Sequence, residues 1–148
     1  MSYQGKYFPK NPKKYIGDPN TIFFRSLWER KFMVWCDTTD SIINWSSEEC
    51  IIKYKDPSKG FAVRRYFPDF LITVKLRDGT LKKRLIEIKP FAQTKEPVKK
   101  SRITKRYISE VMTYATNTAK WQAAAAVCEE NGWEFQIITE KELFSGKK

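Results

Sequence analysis

The 148-residue chain contains no histidine. Serine or cysteine triads with a histidine base, histidine-liganded zinc and histidine general acids are therefore excluded, and any catalysis must run on carboxylates and lysines. Cysteine is scarce. Cys36, Cys50 and Cys128 are odd in number, far apart and without a CxxC pair, so neither a zinc knuckle nor a disulfide framework is indicated, and a reducing cytoplasm fits. No apolar run approaches membrane-spanning length, no Walker A sequence is present, and MSYQGKYFPKNPKKY lacks the hydrophobic centre of a signal peptide. The expectation is a soluble protein with no membrane partner and no nucleotide cofactor. Acidic residues are also in deficit, 17 against 28 lysines and arginines, for a formal charge of +11. Such a field draws phosphate-bearing polyanions, which makes nucleic acid the expected partner.

The length and a 41% hydrophobic content suit one domain with a core of its own. Residues 1–20 are basic, aromatic and broken by Pro9, Pro12, Gly17 and Pro19, which predicts an arm ahead of a domain spanning 21–148. TIFFRSLWERKFMVWC, residues 21–36, has apolar residues at helical spacing, with Thr21 available as a cap. Extended segments follow at about 49–55 and 61–67. After the stretch YFPDFLITVKLRDGTLKKRLIEIKP, residues 66–90, the pattern turns helical from about 104 to 130 and stops at Asn131-Gly132. WEFQIIT reads as a buried strand, and Thr139-Glu140-Lys141-Glu142 as a capping box opening a short last helix. The predicted order is αβββαβ, with the five tryptophans as core aromatics.

The 66–90 stretch reads as a hairpin whose register follows from parity. In its first arm Phe70, Ile72, Val74 and Leu76 are apolar and even-numbered; in its second, so are Ile86 and Ile88. Asp69, Thr73, Lys75, Lys83, Glu87 and Lys89 lie on the odd face, where Leu71 and Leu85 are exceptions. Cross-strand partners share a side, so even must pair with even. A two-residue Asp78-Gly79 turn gives the wrong parity. A three-residue loop, Arg77-Asp78-Gly79, with Gly79 left-handed, pairs Leu76 with Thr80 and hence Asp69 with Glu87. Directly opposed like charges are unfavourable in a sheet and need compensation. Lys89 on the same face is one source; a hard divalent cation such as Mg²⁺, which takes one or two carboxylates plus waters, is another. On this reading the two acids and Lys89 sit at a solvated sheet end.

Pro68-Asp69 followed by Glu87-Ile88-Lys89 resembles the PD-(D/E)XK signature of restriction-endonuclease-like nucleases, and the αβββαβ order is that family's common core. RSLWERKF, WSSEECIIKY, RRYFPDFLI, IEIKP and NTAKWQAAAAVCEENGWEFQIITEKEL extend the likeness to TnsA-type transposon endonucleases and, more closely, to head-completion nucleases of tailed bacteriophages. The resemblance implies an α/β fold with a central mixed sheet flanked by helices, and Mg²⁺-dependent cleavage of double-stranded DNA, with Mn²⁺ able to substitute. It makes Asp69, Glu87 and the Ile88 carbonyl metal ligands and Lys89 the group that orients the attacking water and steadies charge on the phosphate. Glu29 matches an acid the family often adds to the metal shell; the alternative is a surface ion pair with Arg25 or Lys31. Glu48 and Glu49 stay open as further ligands.

Metal-assisted phosphodiester hydrolysis needs no histidine, which suits this composition. The cationic connector KEPVKKSRITKR, with Lys99, Lys100, Arg102, Lys105 and Arg106, and the arm lysines Lys10, Lys13 and Lys14 are the expected backbone contacts. Tyr3, Tyr7, Phe8 and Tyr15 are candidates for stacking on an opened strand. By the same resemblance the partners include phage head or portal proteins and the location is the host cytoplasm or the virion. The alternatives are a DNA-binding virion component without catalysis and a nuclease subunit of a transposition complex.

Overall fold

A computed structural model describes residues 4–99 and 101–145, so Tyr3 and Lys100 lie outside the described residues. The chain runs β1 (Gly5–Lys6), β2 (Phe23–Phe24), α1 (Leu27–Thr38), β3 (Ile42–Ser47), β4 (Ile52–Asp56), β5 (Ala62–Tyr66), β6 (Phe70–Lys75), β7 (Leu81–Ile88), α2 (Lys105–Asn131), β8 (Glu134–Ile138) and α3 (Glu140–Leu143). One sheet has the order β3-β6-β7-β8; its first three strands are antiparallel, and β8 lies parallel to β7. A parallel neighbour requires a long crossover, which α2 supplies. With α1 ahead of it, this sheet has the expected αβββαβ order, mixed and flanked by helices. Among the described residues no helix is long and apolar enough to cross a membrane.

The sheet's first strand differs from expectation. Residues 49–55 and 61–67 do extend, but as β4 and β5 they pair only with each other in a separate two-stranded ribbon. The place beside β6 goes to β3, IINWSS, whose alternation is broken at a bulge between Ile42 and Asn44. The first helix also begins later than predicted. Residues 23–24 form β2, paired with β1, and the cap is Ser26, whose hydroxyl accepts from the Glu29 amide at 3.2 Å; Thr21 is not the cap. The later elements fall where the sequence puts them. Gly132 closes α2 at φ 73°, and Thr139 with Glu142 forms the capping box.

Both faces of the sheet are covered. Even-numbered Phe70, Ile72 and Ile86 pack with Phe32, Met33 and Cys36 of α1 and with Trp45 of β3. Odd-numbered Leu85 and Leu71 pack with Ile52, Tyr54 and Tyr66 of the ribbon and with Ala124 and Cys128 of α2. The two leucines that broke the parity pattern are thus a second core, and the odd face is not solvated there.

Residues 4–20 are not a free arm. Tyr7 and Tyr15 are buried, with Tyr15 edge-on to Trp45 at 4.7 Å, so neither is available to stack on a base. The anchor is Asp37, fully buried at the end of α1. Its carboxylate accepts from the Tyr7 hydroxyl at 2.6 Å and from the amides of Lys10 and Asn11 at 2.7 and 3.0 Å. Burial works to raise the Asp37 pKa, but these hydrogen bonds prevail and hold it below the usual carboxylate value. The stability it contributes is therefore complete above about pH 4 and is lost as pH falls through its lower folded value. Asp37→Ala is expected to cost about 3 kcal/mol, because one buried and two part-buried donors lose their acceptor. Denaturant titration reads the cost, and hydrogen exchange should show residues 4–20 loosening first.

Candidate active site

The hairpin that carries the acids has the register parity requires. Phe70 pairs with Ile86 and Lys75 with Leu81, and continuing the ladder one step past Phe70 sets Asp69 opposite Glu87. The turn is the three-residue loop: the Leu76 amide donates to the Thr80 carbonyl at 2.8 Å, the Gly79 amide to the Leu76 carbonyl at 2.9 Å, and Gly79 sits at φ 89°. Asp78 accepts from the Thr80 amide and hydroxyl and fixes the loop. Pro68, fully buried, and Pro90 bracket the two strand ends that bear the acids.

At that end a cleft of about 390 Å³ opens to solvent. Its acids are Glu29, Glu48, Asp69 and Glu87; its cations are Arg25, Arg65, Lys89 and Lys120. Asp69 Oδ2 accepts from the Ile88 amide at 2.7 Å. Glu87 is only 7% exposed, takes a 2.5 Å hydrogen bond from the Tyr66 hydroxyl on Oε1, and has the Lys89 ammonium 3.8 Å from Oε2. Glu87 is therefore not on a solvated sheet end, as parity alone suggested, because Tyr66 of the ribbon and Lys120 of α2 lie beside it; Asp69 is half-buried in the cleft. Burial first, then the Glu87 charge, pushes the Asp69 pKa up to about 8. Burial also raises Glu87, against the opposing pull of Tyr66, Lys89 and Lys120. Burial and the Glu87 charge drive the Tyr66 phenol far above its ordinary value, so it stays a hydrogen-bond donor.

Glu29 lines the cleft, but its Oε1 accepts from the Arg25 amide at 3.0 Å, a tie across the start of α1. Glu48 lines it from a left-handed backbone at φ 56°, uncommon for a residue with a side chain, and pairs with Arg25 at 2.9 Å. Glu49 is exposed and lies outside the cleft lining. Among the described residues no group of three or more Cys, Asp or Glu side chains converges to hold an ion. Two adjacent carboxylates whose charges are poorly compensated still fit a cation that keeps most of its waters, as Mg²⁺ does.

Of the lysines and arginines expected on DNA, Lys10 and Lys13 are exposed, while the Lys14 ammonium is taken up by the carbonyls of Asp37 and Thr39 at 3.2 and 2.8 Å. Lys99, Arg102, Lys105 and Arg106 are exposed where the chain enters α2. Sequence reasoning missed Arg65, Tyr66 and Lys120, and named Arg25 only as an ion-pair partner of Glu29, whereas its guanidinium pairs with Glu48. For Lys120 a signal existed: with Asn117, Ala124 and Cys128 it falls on one stripe of α2, and those three are buried. Its ammonium lies 5.6 Å from the Tyr66 ring centroid and 5.8 Å from that of Tyr54, so a cation is seated among the aromatics beside Glu87.

A carboxyl raised from an unfolded value near 3.8 to about 8 makes the folded state progressively less stable as pH rises between those values. Asp69→Asn keeps an acceptor for the Ile88 amide and removes the charge. It should raise the melting temperature at pH 8 by about 3 °C, and by much less at pH 5, as read by calorimetry without divalent ions.

Residues 39–140 match the family of TnsA-like endonuclease N-terminal domains. Over 97% of this chain and 95% of the relative, the sequence is 42% identical to the "Head completion nuclease" of Enterobacteria phage T4. No solved structure matches.

Proposed function

Because the chain belongs to the TnsA-like endonuclease family, we propose that it is a metal-dependent deoxyribonuclease that cuts double-stranded DNA at the Asp69-Glu87-Lys89 cleft during phage head completion. The observation that carries this reading is the pair of adjacent carboxylates, Glu87 buried and Asp69 half-buried, with raised pKa values in an open, cation-rimmed cleft. A virion component relieved of cleavage would gain stability by losing that pair. The near full-length likeness to a head completion nuclease favours the phage role over a transposition subunit.

Asp69 and Glu87, with the Ile88 carbonyl and waters, would hold Mg²⁺ or Mn²⁺, and Glu29 would act from the cleft wall. The cation would supply Lewis acidity to phosphoryl oxygens and lower the energy of charge building there. Tyr66 fixes the Glu87 carboxylate by donating to Oε1, which leaves Oε2 facing Lys89. Lys89, one residue past the end of β7, holds a positive charge where a phosphate would lie and orients the attacking water. Lys10, Lys13, Lys99, Arg102, Lys105 and Arg106 hold the backbone without reading sequence. The partners in this role are packaged DNA and the head or portal proteins around it.

The test is nicking of supercoiled plasmid in Mg²⁺, Mn²⁺ and chelator. Chelator should abolish cutting, and Asp69→Ala, Glu87→Ala and Lys89→Ala should each slow it about a hundredfold or more. The two acid variants should bind DNA at least as tightly as the parent, since a negative charge near phosphate is gone. If two of the three variants cut at the parental rate, the site lies elsewhere.

A further inference from the structure

The β4–β5 ribbon has one face in the core and one in solvent. Ile52, Tyr54, Asp56 and Tyr66 are buried on the inner side. Directly opposed residues of an antiparallel pair point the same way. Lys53 opposite Arg65 and Lys55 opposite Val63 therefore share the outer side, and all four are exposed. Val63 is 63% exposed; past the end of β5, Phe67 is 42% exposed with the Arg65 guanidinium 6.0 Å from its ring centroid. Phe61, before β5 at the ribbon's tip, is 65% exposed and sits at φ 63°.

Three features separate this face from an ordinary solvated one. Its cations alternate with bare apolar side chains, while the one acid of residues 51–67, Asp56, is buried on the other side. Its tip holds an aromatic in a backbone region that favours glycine, a strain that serves no packing. The strain is held by the Phe61 amide donating to the Asp56 carbonyl at 2.8 Å, while the Asp56 carboxylate is tied to Ser58 and Thr116. Third, the face runs into the cleft, because Arg65 and Phe67 line it.

We propose that the outer face of the β4–β5 ribbon lies along the double-stranded DNA that enters the cleft. Lys53, Lys55 and Arg65 meet phosphates, and Phe61 and Val63 meet sugar and base edges in the groove. A two-stranded ribbon has the right width for a major groove. Five extended residues reach about 17 Å, so the contact would extend roughly half a helical turn from the cut. This rests on the cleft being the cutting site, but its test does not require cutting.

The test is titration of a fluorescent duplex in chelator at several salt concentrations, using the whole chain. Lys53→Gln with Lys55→Gln should weaken binding about tenfold and lower the log–log salt slope by about 1.8, at about 0.9 per phosphate contact. Phe61→Ala with Val63→Ser should weaken binding about fivefold and leave the slope unchanged, since no charge is lost. A photoreactive side chain placed at position 63 should crosslink to DNA. All changed positions are exposed, so melting curves should match the parent. Parental affinity and slope in both variants would overturn the proposal. So would sedimentation showing a parental dimer that Phe61→Ala with Val63→Ser dissociates, because the face would then meet a second copy. Failure here with the three cleft variants still inactive would remove the ribbon and leave the cutting site in place.

Discussion

Placing Asp69 beside Glu87 opposes the ordinary economy of a sheet. Like charges at directly opposed positions repel, and burial makes each charge costlier than in water. The surroundings concede only part of the difference. The Ile88 amide binds Asp69, the Tyr66 hydroxyl binds one oxygen of Glu87, and Lys89 faces the other. The residual raises the pKa of both carboxyls, that of Asp69 to about 8. In the proposed function a bound cation would offset what the surroundings leave uncompensated.

Much of the fold serves that juxtaposition. The left-handed Gly79 sets the hairpin register, and a one-residue slip of either strand would turn its acid to the α1 face and split the pair. The ribbon delivers Tyr66 to Glu87, and α2 brings Lys120 over the Tyr66 ring. Arg25, at the start of α1, holds Glu48 by its guanidinium and Glu29 by its amide, keeping both acids at the cleft wall and apart from the central pair. The N-terminal residues stabilise this frame from the opposite face through Asp37.

The register was legible in the sequence because a strand's period is two and a hairpin loop must respect it; setting Asp69 beside Glu87 needed nothing more, whereas the roles expected of them and of Lys89 came from the resemblance. The later elements were legible because Gly132 and the Thr139-Glu142 box are local signals. β3 was not, since Asn44, Ser46 and Ser47 interrupt its apolar run and its place beside β6 is a long-range fact. The N-terminal residues read as an arm because their prolines and lysines say nothing about a buried aspartate some twenty-five residues away. Burial of the odd face was announced by Leu71 and Leu85, yet it takes the packed ribbon and α2 to turn two odd leucines into a second core. Tyr66 and Arg65 come from a ribbon whose docking no local pattern specifies.

The central claim is that the proton held by the carboxylate pair and a divalent cation compete for one site. Calorimetric titration with Mn²⁺ near pH 7, in two buffers of different ionisation enthalpy, counts protons released on binding. The account predicts release of about one proton per ion, because ligands must deprotonate to bind, and loss of that release in Asp69→Asn. Binding without proton release, or binding indifferent to both Asp69→Asn and Glu87→Gln, would contradict it.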